Sequence, residues 1–142
     1  MQKRAEPSSA ENVRCDVMVV DDEQVVRAGV RDVLGVYGLR VATAKDSVSA
    51  LAHPALDRCR LVLCDLVLGD DSGLELIGRL KQRRPQMLVI SITGYATREQ
   101  KALARSAGAD GFLAKPFDES ELIGVVRAAL ESTERAEEEE RS

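Results

Sequence analysis

Tryptophan is absent from this chain, and two Phe and two Tyr make up an aromatic content of only 3%. The core therefore has to be built from Val, Leu, Ile and Ala, and there is no aromatic cluster on which nucleic-acid bases could stack. Cysteine is scarce too. Cys15, Cys59 and Cys64 are odd in number and lack a paired metal-ligand spacing, so they read as reduced thiols in a cytosolic protein rather than a disulfide frame. The one histidine, His53, lies beside Pro54 at a helix end and reads as a bystander, not a phosphohistidine. Positive charge has no excess: the formal net charge is −4. No basic patch stands out, which argues against direct nucleic-acid contact. No apolar run approaches a membrane span, and Met1 to Asn12 has no apolar signal core. A cytoplasmic protein is expected.

What is present suits one ordinary domain. The 142 residues are 44% apolar and 31% charged. The charge is uneven: from Glu131 to Ser142 there are six Glu and two Arg, which alone account for the net −4. Pro7, Ser8 and Ser9 mark residues 1–13 as a flexible leader; residues 14–131 are expected to be the folded domain and residues 132–142 an acidic tail.

Apolar runs alternate with helical patterns throughout. Asp16 to Val20 is a β-branched run that ends in Asp21, Asp22 and Glu23. Val26, Val30, Val33, Leu34 and Tyr37 follow at helical spacing and stop at Gly38. Leu39 to Thr43 is a weaker strand, followed by a short helix with Val48, Leu51 and Ala52. Arg60 to Asp65 reads as a buried strand that ends in an acid. Ser72 with Glu75 predicts a capping box for a helix carrying Leu74, Ile77 and Leu80. Met87 to Ile92 is a fourth strand running into Thr93 and Gly94. Thr97 with Gln100 opens the next helix, which stops at Gly108. Asp110 to Ala114 is a fifth strand, closed by Lys115 and Pro116. Asp118 with Glu121 caps a last helix carrying Leu122, Val125, Val126, Ala129 and Leu130. Five strand–helix units in strict alternation predict an α/β fold. It is a flavodoxin-like, doubly wound, five-stranded parallel sheet in strand order 2-1-3-4-5, with helices on both faces.

That topology delivers Asp21, Asp22, Asp65, Thr93 and Lys115 to one sheet edge. Three carboxylates in close quarters repel unless a cation intervenes, and hard oxygen ligands suit Mg²⁺. A lysine opposite them offers a point charge to a phosphoryl oxygen, and a threonine hydroxyl can donate to another. This is equipment for phosphoryl transfer to a carboxylate.

The chain resembles the receiver domain of two-component response regulators, the chemotaxis-regulator type of fold. The resemblance spans about residues 14–131 and is carried by Val17 to Glu23, Cys64 to Gly73, Ser91 to Ala96 and Phe112 to Phe117. It implies Asp65 as phosphoacceptor, with Asp22 as a direct Mg²⁺ ligand and Asp21 acting more through water. The backbone carbonyl of Val67 is implied as a further ligand. Lys115 would contact the phosphate, and its bond to Pro116 is cis in many relatives. Thr93 is implied as the switch hydroxyl and Phe112 as the switch aromatic, coupling the site to a surface of helix four, strand five and helix five. The phosphodonor would be a sensor histidine kinase or a histidine phosphotransfer protein. Output would pass to a downstream protein partner or a fused output domain. The chain would then be a signalling switch that catalyses only its own phosphorylation and dephosphorylation.

Three positions depart from the family pattern. Gly69 stands where Pro is usual, which implies a more mobile loop. Leu68 replaces a common Met. Val67 is apolar where many relatives carry a polar side chain, which leaves the phosphoryl lifetime open. Rival folds fit less well. An aspartate-nucleophile phosphatase of the haloacid dehalogenase kind needs Asp-x-Asp after strand one, and Asp21-Asp22-Glu23 does not supply it. A flavodoxin-type FMN carrier wants a Ser/Thr/Gly-rich phosphate loop there, where these acids would repel the phosphate. A binding-only pseudo-receiver is the third alternative.

Overall fold

Four consecutive apolar residues, Val17–Val20, form strand β1, and all four are buried because the sheet is covered on both sides. The structure is a computed structural model and describes residues 15–94 and 96–141; the expected leader, residues 1–13, lies outside them. The other strands of the sheet are β2 (Val41–Ala44), β3 (Leu61–Asp65), β4 (Leu88–Thr93) and β5 (Gly111–Ala114). They pair in the order β2-β1-β3-β4-β5, every pair parallel, as the alternation predicts. Helices α1 (Gln24–Val36), α2 (Ser47–Ala52), α3 (Gly73–Arg83), α4 (Arg98–Ala107) and α5 (Glu119–Arg141) make the crossovers.

Side chains alternate across each strand and feed two separate cores. Met18, Val20, Val62, Cys64 and Val89 pack with Leu76, Ile77 and Leu80 of α3 and Ala104 of α4. Val17, Val19, Leu61, Leu63 and Ile92 pack with Leu34 of α1 and Leu122 and Val126 of α5. Each fully buried Leu or Ile contributes roughly 2 kcal/mol of apolar transfer energy.

The predicted caps hold with one difference. Asp118 Oδ1 accepts from Glu121 N at 2.7 Å while Glu121 Oε1 accepts from Asp118 N at 3.1 Å, a reciprocal capping box. Thr97 Oγ1 accepts from Gln100 N at 3.1 Å. At α3 only half the box forms: Ser72 accepts from Glu75 N, but the Glu75 carboxylate pairs with Arg79 at 2.9 Å, one turn on. Helix α5 continues through the acidic run to Arg141 rather than stopping near Leu130. Glu, Ala and Arg are strong helix formers, and Glu134 also reaches Arg60 at 3.5 Å.

The expectation of three reduced thiols is overturned. Cys15 and Cys59 are joined in a disulfide, leaving Cys64 free and buried. The reason is register. Val17 is the direct partner of Leu61, and each cysteine lies two residues ahead of its strand's first paired position. The two cysteines therefore sit side by side, their Cα atoms 4.6 Å apart.

Candidate functional site

The carboxyl ends of β1, β3 and β5 bring four acids and one lysine into a single crevice. Asp21 follows β1 directly and is fully buried, whereas Asp22 and Glu23 are exposed at the mouth. Asp65 is the last residue of β3 and is 5% exposed. Lys115 follows β5, where its backbone N–H bonds to the Thr93 carbonyl at 2.8 Å, and a cis peptide joins it to Pro116.

The lysine is the hub. Its ammonium donates to Asp65 Oδ2 at 2.8 Å and to Glu23 Oε1 at 2.9 Å. Asp21 Oδ2 lies 2.9 Å away as an ion-pair partner. That oxygen is buried, and the ammonium is its one close polar neighbour among the described residues. Asp65 Oδ1 is held from the opposite side by the Val67 N–H at 2.9 Å, so both carboxylate oxygens of Asp65 are fixed. Asp21 Oδ1 accepts from Glu23 N at 2.9 Å. The Glu23 side chain, at the amino end of α1, makes no cap and turns to Lys115 instead.

Among the described residues four carboxylates share the Lys115 ammonium, while the Arg27 guanidinium donates to the Asp21 backbone carbonyl at 2.7 Å. Burial raises the Asp21 pKa above the usual carboxylate range, and the neighbouring Asp65 adds to this. Burial works against the charge on Lys115, yet its bonds to Asp65, Asp21 and Glu23 outweigh it and hold the ammonium firmly protonated. Ligand oxygens of Asp21, Asp22, Glu23 and Asp65 all lie within 4.8 Å of one another. This cluster could hold a metal ion. The donors are all hard oxygens with no His or Cys among them, which fits a hard divalent cation.

The crevice has a volume of about 580 Å³ and is lined by Asp22, Glu23, Asp65, Val67, Gly94 and Lys115. Asp22, Asp65, Val67 and Lys115 of the expected cluster thus line it, and Asp21, buried beneath, joins them through its 2.9 Å ion pair with Lys115. Thr93 and Phe112 are not part of its lining. Thr93 is buried at the end of β4, and Thr97 takes the capping role for α4. Phe112 lies farther back on β5, half-buried, with the Arg105 guanidinium 5.2 Å above its ring.

Two glycines shape the loop after Asp65. Gly69 turns a two-residue hairpin that pairs Val67–Leu68 with Asp71–Ser72, and it does so at φ +63°. Proline, locked near −65°, could not occupy that position, so the departure from the family pattern has a backbone cause. Gly73 lies against β3: a Cβ there would run into the Asp65 carbonyl oxygen and the Leu66 Cα. Neither Gly73 nor Glu23 was singled out for the site by spacing. Glu23 could have been, since it directly follows the two strand-end acids. Gly73 closes one of the segments that carry the family resemblance, but its close approach to β3 is visible only once the chain is folded.

A family model described as the response regulator receiver domain matches residues 17–127. TcrX of Mycobacterium tuberculosis, a probable transcriptional regulatory protein, is 34% identical over 117 residues, covering 82% of this chain and 50% of that protein. The receiver domain of NtrX from Brucella abortus superposes with a TM-score of 0.76 at 37% identity, covering 82% of this chain and 98% of that one. A Burkholderia pseudomallei response regulator, solved with a phosphorylated aspartic acid, a calcium ion and citrate, superposes with a TM-score of 0.74 at 28% identity. The match covers 90% of this chain and 75% of that one. The chain spans between about a quarter and about half the length of the curated relatives it matches.

Proposed function

This chain belongs to the response regulator receiver domains, a family of signalling switches phosphorylated on aspartate, and on that premise we propose that Asp65 is its phosphoacceptor. One observation carries the assignment: the Lys115 ammonium lies within 2.9 Å of both Asp65 and Asp21. Asp65 is thereby the acid at a strand end that is buried, oriented at both oxygens and faced by a cation.

Asp21, Asp22, Asp65 and the Val67 carbonyl are the residues that would hold Mg²⁺. When bound, Mg²⁺ supplies positive charge against the oxygens of the transferred group. The chain's own residues do the rest. A carboxylate oxygen of Asp65 attacks phosphorus, forming the O–P bond of an acyl phosphate. The P–N bond to the donor imidazole breaks, and that imidazole leaves after taking up a proton. Lys115 stays with the group it already faces and pairs with a phosphoryl oxygen. Val67 N–H keeps the carboxylate plane aligned for attack.

In this reading the donor is a sensor histidine kinase or a histidine phosphotransfer protein, and the site works in the cytoplasm, where such donors are charged. Thr93 turns toward the phosphoryl group and Phe112 moves inward, which alters the α4–β5–α5 surface read by a downstream protein or a fused output domain. No described helix is long and apolar enough to cross a membrane. The assignment is tested by borohydride trapping after incubation with Mg²⁺ and a small phosphodonor. The reduced product is expected in the peptide that contains position 65. Trapping at Asp21, Asp22 or Asp71 instead would refute it.

A further inference from the structure

We propose that Cys15 and Cys59 form a redox-responsive pair that closes and opens with the thiol–disulfide balance around the protein, clamping β1 to β3 when oxidised. The proposal concerns the far end of the sheet and stands whether or not Asp65 accepts a phosphoryl group.

The first ground is placement. Both cysteines lie at the amino ends of the two strands whose carboxyl ends carry Asp21 and Asp65, and the parallel register sets them opposite each other. The β1–β3 pairing depends on no covalent link, since four consecutive residue pairs from Val17↔Leu61 to Val20↔Cys64 hold it. The bond can therefore open without loss of the sheet.

The second ground is that the reduced state is also accommodated. Cys59 Sγ lies 3.3 Å from the Ala55 carbonyl oxygen. Once the bridge opens, the thiol proton of the fully buried Cys59 has an acceptor already in place, so reduction does not leave that donor without a partner. A third ground is chemical context. On the cytoplasmic reading proposed above, the compartment is glutathione-buffered, and disulfides there are mostly transient or redox-sensing rather than permanent. Cys64 does not compete, because it is fully buried within β3, five residues beyond Cys59.

The co-reactant is a low-molecular-weight disulfide of the glutathione class. Cys15, slightly less buried than Cys59, attacks it as the thiolate. This forms a mixed disulfide and releases one small thiol. The Cys59 thiolate then attacks the Cys15 sulfur, forming the bridge and releasing the second small thiol. The protein loses two hydrogens and two electrons, and the small disulfide gains both. The reverse sequence opens the bridge.

The test uses the full chain, equilibrated natively in buffers that run from reduced to oxidised glutathione. Samples are acid-quenched, unfolded, alkylated and weighed intact. With three cysteines in the chain, three alkyl groups are expected at the reducing end and one at the oxidising end, with the change reversible. Cys15→Ala is expected to carry two groups throughout. The oxidised chain is expected to melt roughly 5–10 °C above the reduced chain, and Cys15→Ala to melt with the reduced form. Three groups in oxidised glutathione, or a lasting glutathione adduct in place of the bridge, would overturn the proposal. One group in excess reductant would overturn it equally by making the bond permanent. Equal melting of the two forms would remove the clamp.

Discussion

Asp21 is the residue on which the cost of the crevice falls. It is fully buried, its Oδ2 has the Lys115 ammonium as its one close polar neighbour among the described residues, and burial raises its pKa. A carboxyl whose folded pKa is raised contributes stability below its ordinary value near 4, and that contribution is lost as pH climbs through the raised value. At neutral pH the ionised Asp21 therefore works against the fold. Asp21→Asn is expected to raise the melting temperature in the presence of a chelator. The gap to the parent chain should close as the pH is taken below the carboxylate range. The same substitution should weaken the stabilisation that Mg²⁺ confers on the parent, as read by calorimetry. Gly73 is the opposite case. Gly73→Ala would press a Cβ against the Asp65 backbone. It is expected to cost about 2–4 kcal/mol in urea unfolding and to slow phosphoryl uptake, because β3 must shift. Of these two residues only the acid was legible beforehand. A charged group at the end of an apolar run announces itself, whereas a glycine chosen for close approach looks like any turn glycine.

Among the elements, α4 and β5 meet where Arg105 covers the Phe112 ring. A cation over an aromatic face contributes about 0.5–1 kcal/mol, which in the proposed switch favours the half-exposed ring position that Arg105 covers. Arg105→Ala is expected to raise the inward population of Phe112 about two- to fivefold, measured by relaxation dispersion on the ring signals. No change would leave Arg105 as surface charge. Helix α5 depends on its reciprocal cap, and Asp118→Ala should lower stability by about 1 kcal/mol. The caps were legible because Ser, Thr or Asp three residues ahead of Glu or Gln is a local pattern. What Glu75 does was not, since Arg79 competes for its carboxylate. The short hairpin around Gly69 and the Cys15–Cys59 bond escaped for a common reason. Both depend on which residues are brought opposite each other, and that is fixed only when strands come into register.

For the whole molecule, strict alternation of buried strands and amphipathic helices was enough to set class and strand order, since right-handed crossovers leave few topologies. The convergence of Asp21, Asp65 and Lys115 then follows from topology rather than from proximity in the chain. A site made of four carboxylates and one lysine should also respond as a unit to metal. Mg²⁺ at a hundred times its dissociation constant is expected to stabilise the fold by about 2.7 kcal/mol, and Asp65→Asn should reduce that gain. The most direct measurement is the intact mass of the chain after incubation with a small phosphodonor, with Mg²⁺ or with chelator, beside Asp65→Asn. The expected result is a gain of one phosphoryl group in the parent chain with Mg²⁺ only, and none in the variant. An unchanged parent mass, or the same gain in Asp65→Asn, would contradict the assignment.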